Sequence, residues 1–456
     1  MTENLIQRFF DDAVAQGLAP GFQFVVFDKD SLIASGASGL IDAISGTPCR
    51  KDHILWLASC SKISISIMVL HILEKGLSPN GMTLADLDNH EKLVQVLPEF
   101  KHGSTSLVSK IIVGFEKELG PDGKKVPILR DYEGKVTLRM LLTHTSGLAY
   151  FWHPFIGEMY EPTDGTPPLK PLPFATGRIE DFECPVVQEP GTGYIYGPST
   201  DWLGQFIVRC TGINLRQAFK KYIFDHLEIP SSELDVYIPP EHAARKAVMH
   251  AQSPTGSGFI SIPLDIYTSE GDPPEGYAYF ASGPLFGTIE AYTKVLQAAL
   301  RHDPRILEET TWKLAVKDAL AVQGIKLEPQ KRISHIKSLT HDFGQAFKST
   351  IPGEGTGINL LQCEVAIAPT VSGRPPGSYG WCGVPNLWYA IDEVTGKGYM
   401  LGTQLLPFAE PRLMDLKDEF EKLVWSIIKT PEHEDLDREL EHLNRSSVRS
   451  KTLLEH

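Results

Sequence analysis

The sequence has no disulfide framework, no zinc-type cysteine spacing, no long apolar run and no excess of positive charge. Its six cysteines, Cys49, Cys60, Cys184, Cys210, Cys363 and Cys382, are scattered without a Cys-x-x-Cys among them. That usage suits buried thiols in a reducing compartment and excludes a disulfide scaffold or a zinc finger. The longest apolar stretch, Ile63 to Leu73, contains Ser64, Ser66 and His71, and a membrane-spanning helix needs ~20 apolar residues. Glu3, Arg8, Asp11 and Asp12 interrupt the first twenty residues, leaving no uncharged core for a secretory signal. With 43 Lys+Arg against 57 Asp+Glu the net charge is −14. Such a field repels polyphosphates and anionic lipids, so neither nucleic acid nor a membrane is expected as a partner. A cytoplasmic protein is expected. No Gly-x-Ser-x-Gly, phosphate loop or His-Glu-x-x-His occurs, which removes support for α/β-hydrolase, nucleotide and zincin chemistry.

What is present is an ordinary globular composition, 42% hydrophobic and 22% charged, with 39 Gly and 33 Pro that show no period. The 456 residues allow one large domain with an insertion, or two to three smaller ones. Leu5, Ile6, Phe9, Phe10, Ala13 and Val14 form a helical stripe stopped by Gly17. Phe22 to Phe27 and Leu32 to Ala37 read as a hairpin around Asp28-Lys29-Asp30. A second helix is predicted over Lys62 to Lys75, closed by Gly76. Residues 77 to 275 show few alternating runs and many prolines, with helical segments at Trp202 to Arg209 and Leu215 to Phe224. Strand signals return at Gln362 to Ile367, Leu387 to Ile391 and Gly398 to Leu405, followed by a helix from Leu413 to Ile428. The expected architecture is therefore α/β (α+β): an antiparallel sheet built from both chain ends and flanked by helices. Residues 1–76 and 277–430 would form the sheet domain and 77–276 a mainly helical insertion. Residues 431–456 would be a charged tail, helical or disordered, ending in Leu454-Glu455-His456 as a tag remnant.

The residues that carry chemistry begin with Ser59-Cys60-Ser61-Lys62. On a helix, positions i and i+3 share a face, so the Lys62 amine can reach the Ser59 hydroxyl. A serine is a weak nucleophile until a neighbour takes its proton, and a lysine can do so only when burial moves it toward the neutral amine. The apolar flanks Ile54 to Ala58 and Ile63 to Val69 supply that burial. A second match, Ser334-His335-Ile336-Lys337, lies in a polar segment with no strand before it and reads as chance.

Two further segments add specificity: Leu141-Leu142-Thr143-His144-Thr145-Ser146-Gly147-Leu148, and Pro190-Gly191-Thr192 leading to Tyr194-Ile195-Tyr196-Gly197. With them the sequence resembles the class C β-lactamase and serine-esterase superfamily, the penicillin-recognising Ser-x-x-Lys enzymes, from about residue 5 to 428. Ile195-Tyr196-Gly197, Asp201-Trp202 and Pro385-Asn386 are most similar to the fungal polyketide acyltransferases of the lovastatin type. The resemblance implies Ser59 as nucleophile, Lys62 as its partner and Tyr196 as second proton carrier. It also implies an oxyanion hole of the Ser59 and Val384 N–H groups, since Trp381-Cys382-Gly383 stands where the family has its third motif. Pro198 and Trp381 replace the amide and the cation with which β-lactamases hold their substrate. His144 is read as fixing a loop and Cys382 as packing. The aromatic run Tyr150, Phe151, Trp152 and Phe155 either walls a pocket or packs in the core. Trp56, Trp152, Trp381 and Phe408 are the candidates for substrate contact. The implied activity is an acyl-enzyme on Ser59 that passes the acyl group of a small hydrophobic ester or thioester to an alcohol or water. Neither metal nor cofactor is called for. The partners would be a small-molecule acyl donor, or a carrier-protein thioester, and an alcohol acceptor. A β-lactamase or D-alanyl peptidase, and a non-catalytic binding protein, are the alternatives.

Overall fold

Alternation along Gly21–Asp28 (β1) sends Phe22, Phe24 and Val26 to one face and Val25 and Phe27 to the other, all of them buried. A strand buried on both faces belongs in the middle of a covered sheet. The computed structural model, which describes residues 2–121, 123–160, 177–253, 258–264, 266–326 and 355–429, places it there. The partners are Leu32–Asp42 (β2) and Thr47–Pro48 (β3) from the N-terminal part, with Thr356–Ile358 (β4), Glu364–Ala366 (β5), Tyr379–Gly383 (β6), Leu387–Asp392 (β7) and Lys397–Gly402 (β8) from the C-terminal part. They form one sheet in the order β4-β5-β6-β7-β8-β1-β2-β3, with antiparallel neighbours throughout. Val25 lies opposite Ser35 on one side and Met400 on the other. The expected sheet from both chain ends is thus observed. The second Ser-x-x-Lys match at Ser334 and the tail from residue 431 lie outside the described residues.

The helices cover the two faces by their apolar stripes. On the outer face, Ile6, Phe10 and Ala13 of Thr2–Ala15 (α1) join Leu413, Leu416 and Phe420 of the C-terminal helix against Phe22, Phe24, Trp388 and Tyr399. Phe10 stacks on Phe24 with ring centroids 4.8 Å apart. On the inner face lies Lys62–Glu74 (α2), whose residues from Lys62 to Leu73 are all buried. A helix buried on every side can only sit inside, and α2 packs against Ser199–Thr211 (α3) within the inner core that also takes in Val25 and Phe27 of β1. Tyr292, Val295 and Leu296 of Ile289–Leu300 (α4) complete this core.

The middle of the chain contains more strand than its sequence suggests. Lys110–Leu119 pairs with Lys125–Asp131, and Met249–Gln252 pairs with Phe259–Ile262 and, in parallel, with Leu405–Leu406. The first hairpin has its register broken between Ile112 and Gly114 and again between Phe115 and Leu119, and most of its side chains are exposed. Broken alternation without burial leaves no period to read. Among the described residues no helix is long and apolar enough to cross a membrane.

Beneath the C-terminal helix, Pro411–Lys429 (α5), the Glu421 carboxylate is fully buried. It accepts hydrogen bonds from Ser372 Oγ, Tyr399 OH and Lys417 Nζ, and Arg374 Nη1 lies 3.9 Å away. Removing one partner of a buried charge cluster strands the others. Glu421→Ala is therefore expected to lose about 3–5 kcal/mol of stability, read as a lowered urea midpoint. A loss below about 1 kcal/mol, the scale of an exposed pair, would contradict the assignment.

Candidate active site

The turn that carries Ser59 is held from several sides before any chemistry is considered. Ala58–Ser61 is a single 3₁₀ turn that runs directly into α2. Ala58 has φ +46°, left-handed backbone that a residue with a Cβ adopts at a cost. Two glycines make room for it. A Cβ on Gly383 would come 2.8 Å from Leu57 O, and one on Gly283 would come 3.0 Å from the Ala58 carbonyl carbon. Leu57 N–H donates to Leu285 O at 2.9 Å, Leu285 N–H donates to Ser61 Oγ at 3.2 Å, and Tyr292 OH donates to Cys60 O. The strand end at Gly383 and the segment from 282 to 292 therefore clamp the turn.

Ser59 Oγ stands at the meeting point of two side chains. Lys62 Nζ lies 3.0 Å from it and Tyr196 OH donates to it at 2.9 Å. Lys62 Nζ also donates to Ser282 O at 2.6 Å and sits 5.2 Å from the centre of the Tyr196 ring. Lys62 is 1% exposed, whereas Ser59 and Tyr196 are half-buried and form the open side. Burial disfavours the ammonium and pushes Lys62 down to about 7, with the buried Asp201 carboxylate pulling the other way. Burial drives the Tyr196 phenol far above its ordinary range, partly offset by the bond to Ser59. At neutral pH the site thus pairs an amine that can accept a proton with a phenol that keeps its own. Val384 follows the end of β6, beside the Ser59 turn. Among the described residues neither the Ser59 nor the Val384 N–H donates to a backbone carbonyl.

The aromatic candidates divide into two groups. Trp381 lies 5.4 Å and Trp152 6.3 Å, ring centre to ring centre, from Tyr196, and Trp152 is half-buried. Trp152 lies on the more open side, while Trp381 is buried in the inner core beside Tyr196. Trp56 and Phe408, expected to touch substrate, are turned into the core instead. Trp56 is 2% exposed, donates its Nε1–H to Gly283 O at 2.8 Å and has its backbone bonded by the Gln404 side chain. Phe408 is 3% exposed and stacks on Trp388 in the outer core with α1 and α5. Closeness to the motif along the chain placed Trp56 near Ser59, but the strand directs its ring behind the turn.

His144 packs edge-on against Tyr196, with ring centres 4.8 Å apart, and its carbonyl accepts the Ile195 N–H at 2.8 Å. Burial holds its imidazole well below the usual range, so it fixes the Tyr196 loop as a neutral wall. Burial pushes the Cys382 thiol up to about 12, which leaves it without nucleophilic thiolate. Tyr150, Ser282 and Asp201 are brought to Lys62 without having been singled out for it. Tyr150 OH donates to Ser282 Oγ at 2.8 Å, and Ser282 in turn bonds Asp201. Among the described residues no cluster of His, Cys, Asp and Glu is placed to hold a metal ion.

Comparison with known proteins gives consistent findings. The family model described as Beta-lactamase matches residues 6–419. Over 433 residues the chain is 30% identical to a lovastatin esterase of Penicillium rubens, covering 90% of this chain and 95% of that one. Over 394 residues it is 29% identical to the ML-236A carboxylate methylbutanoyltransferase of Penicillium citrinum, covering 84% and 83%. In structure it is similar to a variant of the simvastatin synthase of Aspergillus terreus, with a TM-score of 0.71 at 25% identity, covering 94% and 95%.

The strained turn makes a direct test. Ala58→Gly takes the same backbone conformation without steric cost and is expected to keep both fold and Ser59 reactivity. Ala58→Val puts a branched Cβ into left-handed backbone and is expected to lose about 1–3 kcal/mol. Equal urea midpoints for the two variants would show that the turn imposes no such constraint.

Proposed function

From a chain that belongs to the beta-lactamase family, matched by its model over residues 6–419, we propose an acyltransferase or esterase that forms its acyl-enzyme on Ser59. The observation that carries the reading is Ser59 Oγ held between Lys62 Nζ at 3.0 Å and Tyr196 OH at 2.9 Å on the open side of an otherwise buried site. Ser59 Oγ bonds the acyl carbon while its proton passes to the Lys62 amine. The Ser59 and Val384 N–H groups receive the oxyanion. As the carbon–oxygen or carbon–sulfur bond of the donor breaks, Tyr196 OH gives its proton to the leaving alkoxide or thiolate, and the Lys62 ammonium restores it. The same steps in reverse load the acyl group onto an alcohol or water.

By their names one relative transfers a methylbutanoyl group to ML-236A carboxylate and another is an esterase of lovastatin, so the substrate class proposed is a short acyl group on a small hydrophobic ester or thioester. A small-molecule thioester and a carrier-protein thioester present the same reacting carbonyl. Trp152 and Trp381 supply apolar walls for it. The β-lactamase alternative has no lysine at the third motif: Trp381 stands there, and Arg374 is 7% exposed, close to Glu421 beneath α5. We place the enzyme in the cytoplasm, in keeping with cysteines that are all free.

Intact mass spectrometry after mixing with p-nitrophenyl butyrate is expected to show a butyryl adduct, which peptide mapping places on Ser59 and which Ser59→Ala abolishes. Lys62→Ala and Tyr196→Phe are each expected to slow turnover by at least ~10²-fold. Because Lys62 must be neutral to accept a proton and burial pushes it down to about 7, the acylation rate should rise as pH climbs through 7 and then level. An adduct on another residue, or a rate already at its plateau at pH 5, would contradict the scheme.

A further inference from the structure

Behind Lys62 lies a buried chain of contacts that the acyl-transfer steps leave without a task. Asp201, on the first turn of α3, is 1% exposed and Ser282 is fully buried. Asp201 Oδ1 accepts the Ser282 backbone N–H at 3.1 Å, and its Oδ2 accepts the Ser282 hydroxyl. The Ser282 carbonyl is the group to which Lys62 Nζ donates at 2.6 Å. Two bonds from one carboxylate to one residue fix that residue's rotation and so the direction of its carbonyl. That carbonyl holds one hydrogen of Nζ, which leaves the opposite side of the nitrogen toward Ser59.

We propose that Asp201 is a positioning residue for acyl transfer: through Ser282 it aims the Lys62 amine at Ser59, and its carboxylate stabilises the ammonium formed when Lys62 takes the Ser59 proton. The inference rests on the acyl-enzyme reading. In the step itself the Ser59 Oγ–carbon bond forms, one proton moves from Ser59 Oγ to Lys62 Nζ, and Asp201 neither gains nor loses a proton.

The other titratable groups that face the pair are neutral. Two residues before Lys62 in the chain, Cys60 is held well above its ordinary value by burial, and so is Cys382 of β6, at about 12. Cys184, near Asp201, is likewise pushed up to about 12. Burial raises the phenols of Tyr150 and Tyr196 and lowers the His144 imidazole. Among the described residues this leaves Asp201 as the anion opposite Lys62. Burial also pushes Asp201 up, to about 6, while the Lys62 charge favours its ionised form. A charge pair at this depth acts with little screening by solvent.

The test is the pH dependence of the acylation burst with p-nitrophenyl butyrate, in wild type, Asp201→Asn and Ser282→Ala. The asparagine side chain keeps a group able to bond Ser282 but carries no charge, so the ammonium loses its support and Lys62 titrates lower. Asp201→Asn is expected to move the acid limb down by about one pH unit or more and to slow acylation at the plateau by roughly 10- to 100-fold, with KM unchanged. Ser282→Ala leaves the Asp201 carboxyl in place but removes the hydroxyl bond that favours its charged form, so it is expected to slow acylation with a smaller downward move of the limb than Asp201→Asn gives. A purely structural role would change the amount of active enzyme without moving the limb. An Asp201→Asn limb at the wild-type pH therefore overturns the proposal. A measurement that does not depend on folding of that variant is the Asp201 carboxyl stretch in the infrared. Its titration midpoint should rise in Lys62→Met, and an unmoved midpoint also overturns the proposal. Absence of any Ser59 adduct in the wild type would overturn the acyl-enzyme reading and this inference together, whereas a normal adduct with an unmoved limb would overturn this inference alone.

Discussion

A lysine amine taken out of water is the constraint around which the rest of this molecule is arranged. In solvent the ammonium would hold its proton until pH ~10.4 and could not activate a serine at neutral pH. Inside, at 1% exposure, the charged form loses its hydration and the neutral amine becomes available. Burying such a group works against folding at low pH, because the protonated side chain must then be accommodated without water. The apolar length of α2 provides the low-dielectric setting, and the cores on both faces of the sheet offset its cost.

The site exists only where separate parts of the chain meet. The N-terminal part contributes the Ala58 turn and α2, and the C-terminal part contributes the end of β6, with Gly383 admitting the turn. Tyr196 and Asp201 come from the middle of the chain, just before and on the first turn of α3, which packs along α2. Ser282 arrives just ahead of the short strand Phe286–Gly287, which pairs with Leu55–Trp56 immediately before the nucleophile. Among the described residues each side-chain hydrogen bond to Ser59 Oγ or Lys62 Nζ therefore crosses a large sequence separation, apart from the i, i+3 contact between the two. A shift of one element would loosen several of these contacts together.

How much of this could be read beforehand follows from the range of each interaction. The i, i+3 pairing of Ser59 and Lys62 is local and visible in four residues, and Tyr196 and Val384 were reached through motif resemblance. The sheet built from both chain ends is legible because β1 and β7 are largely apolar runs between clear turns, whereas the short strands β3, β4 and β6 carry no such run. Asp201 and Ser282 were not assigned a role, because an aspartate on a helix and a serine after Ala281 look ordinary until the fold joins them to Lys62. Trp56 and Phe408 show the opposite error. Their aromatic character drew them toward the pocket, while burial behind the turn and under α5 turned them into core. The Lys110–Asp131 hairpin escaped because its irregular pairing leaves no clean alternation.

Burial that brings Lys62 down to about 7 makes its neutral amine available at physiological pH, and a titration of that one side chain tests this most directly. Enzyme labelled with ¹³C at lysine Cε, with Lys62→Met used to assign the resonance, would give its midpoint by NMR without substrate. A midpoint at about 7 is expected. A midpoint near the ordinary lysine value of ~10.4, with the acyl-enzyme still forming on Ser59, would contradict it.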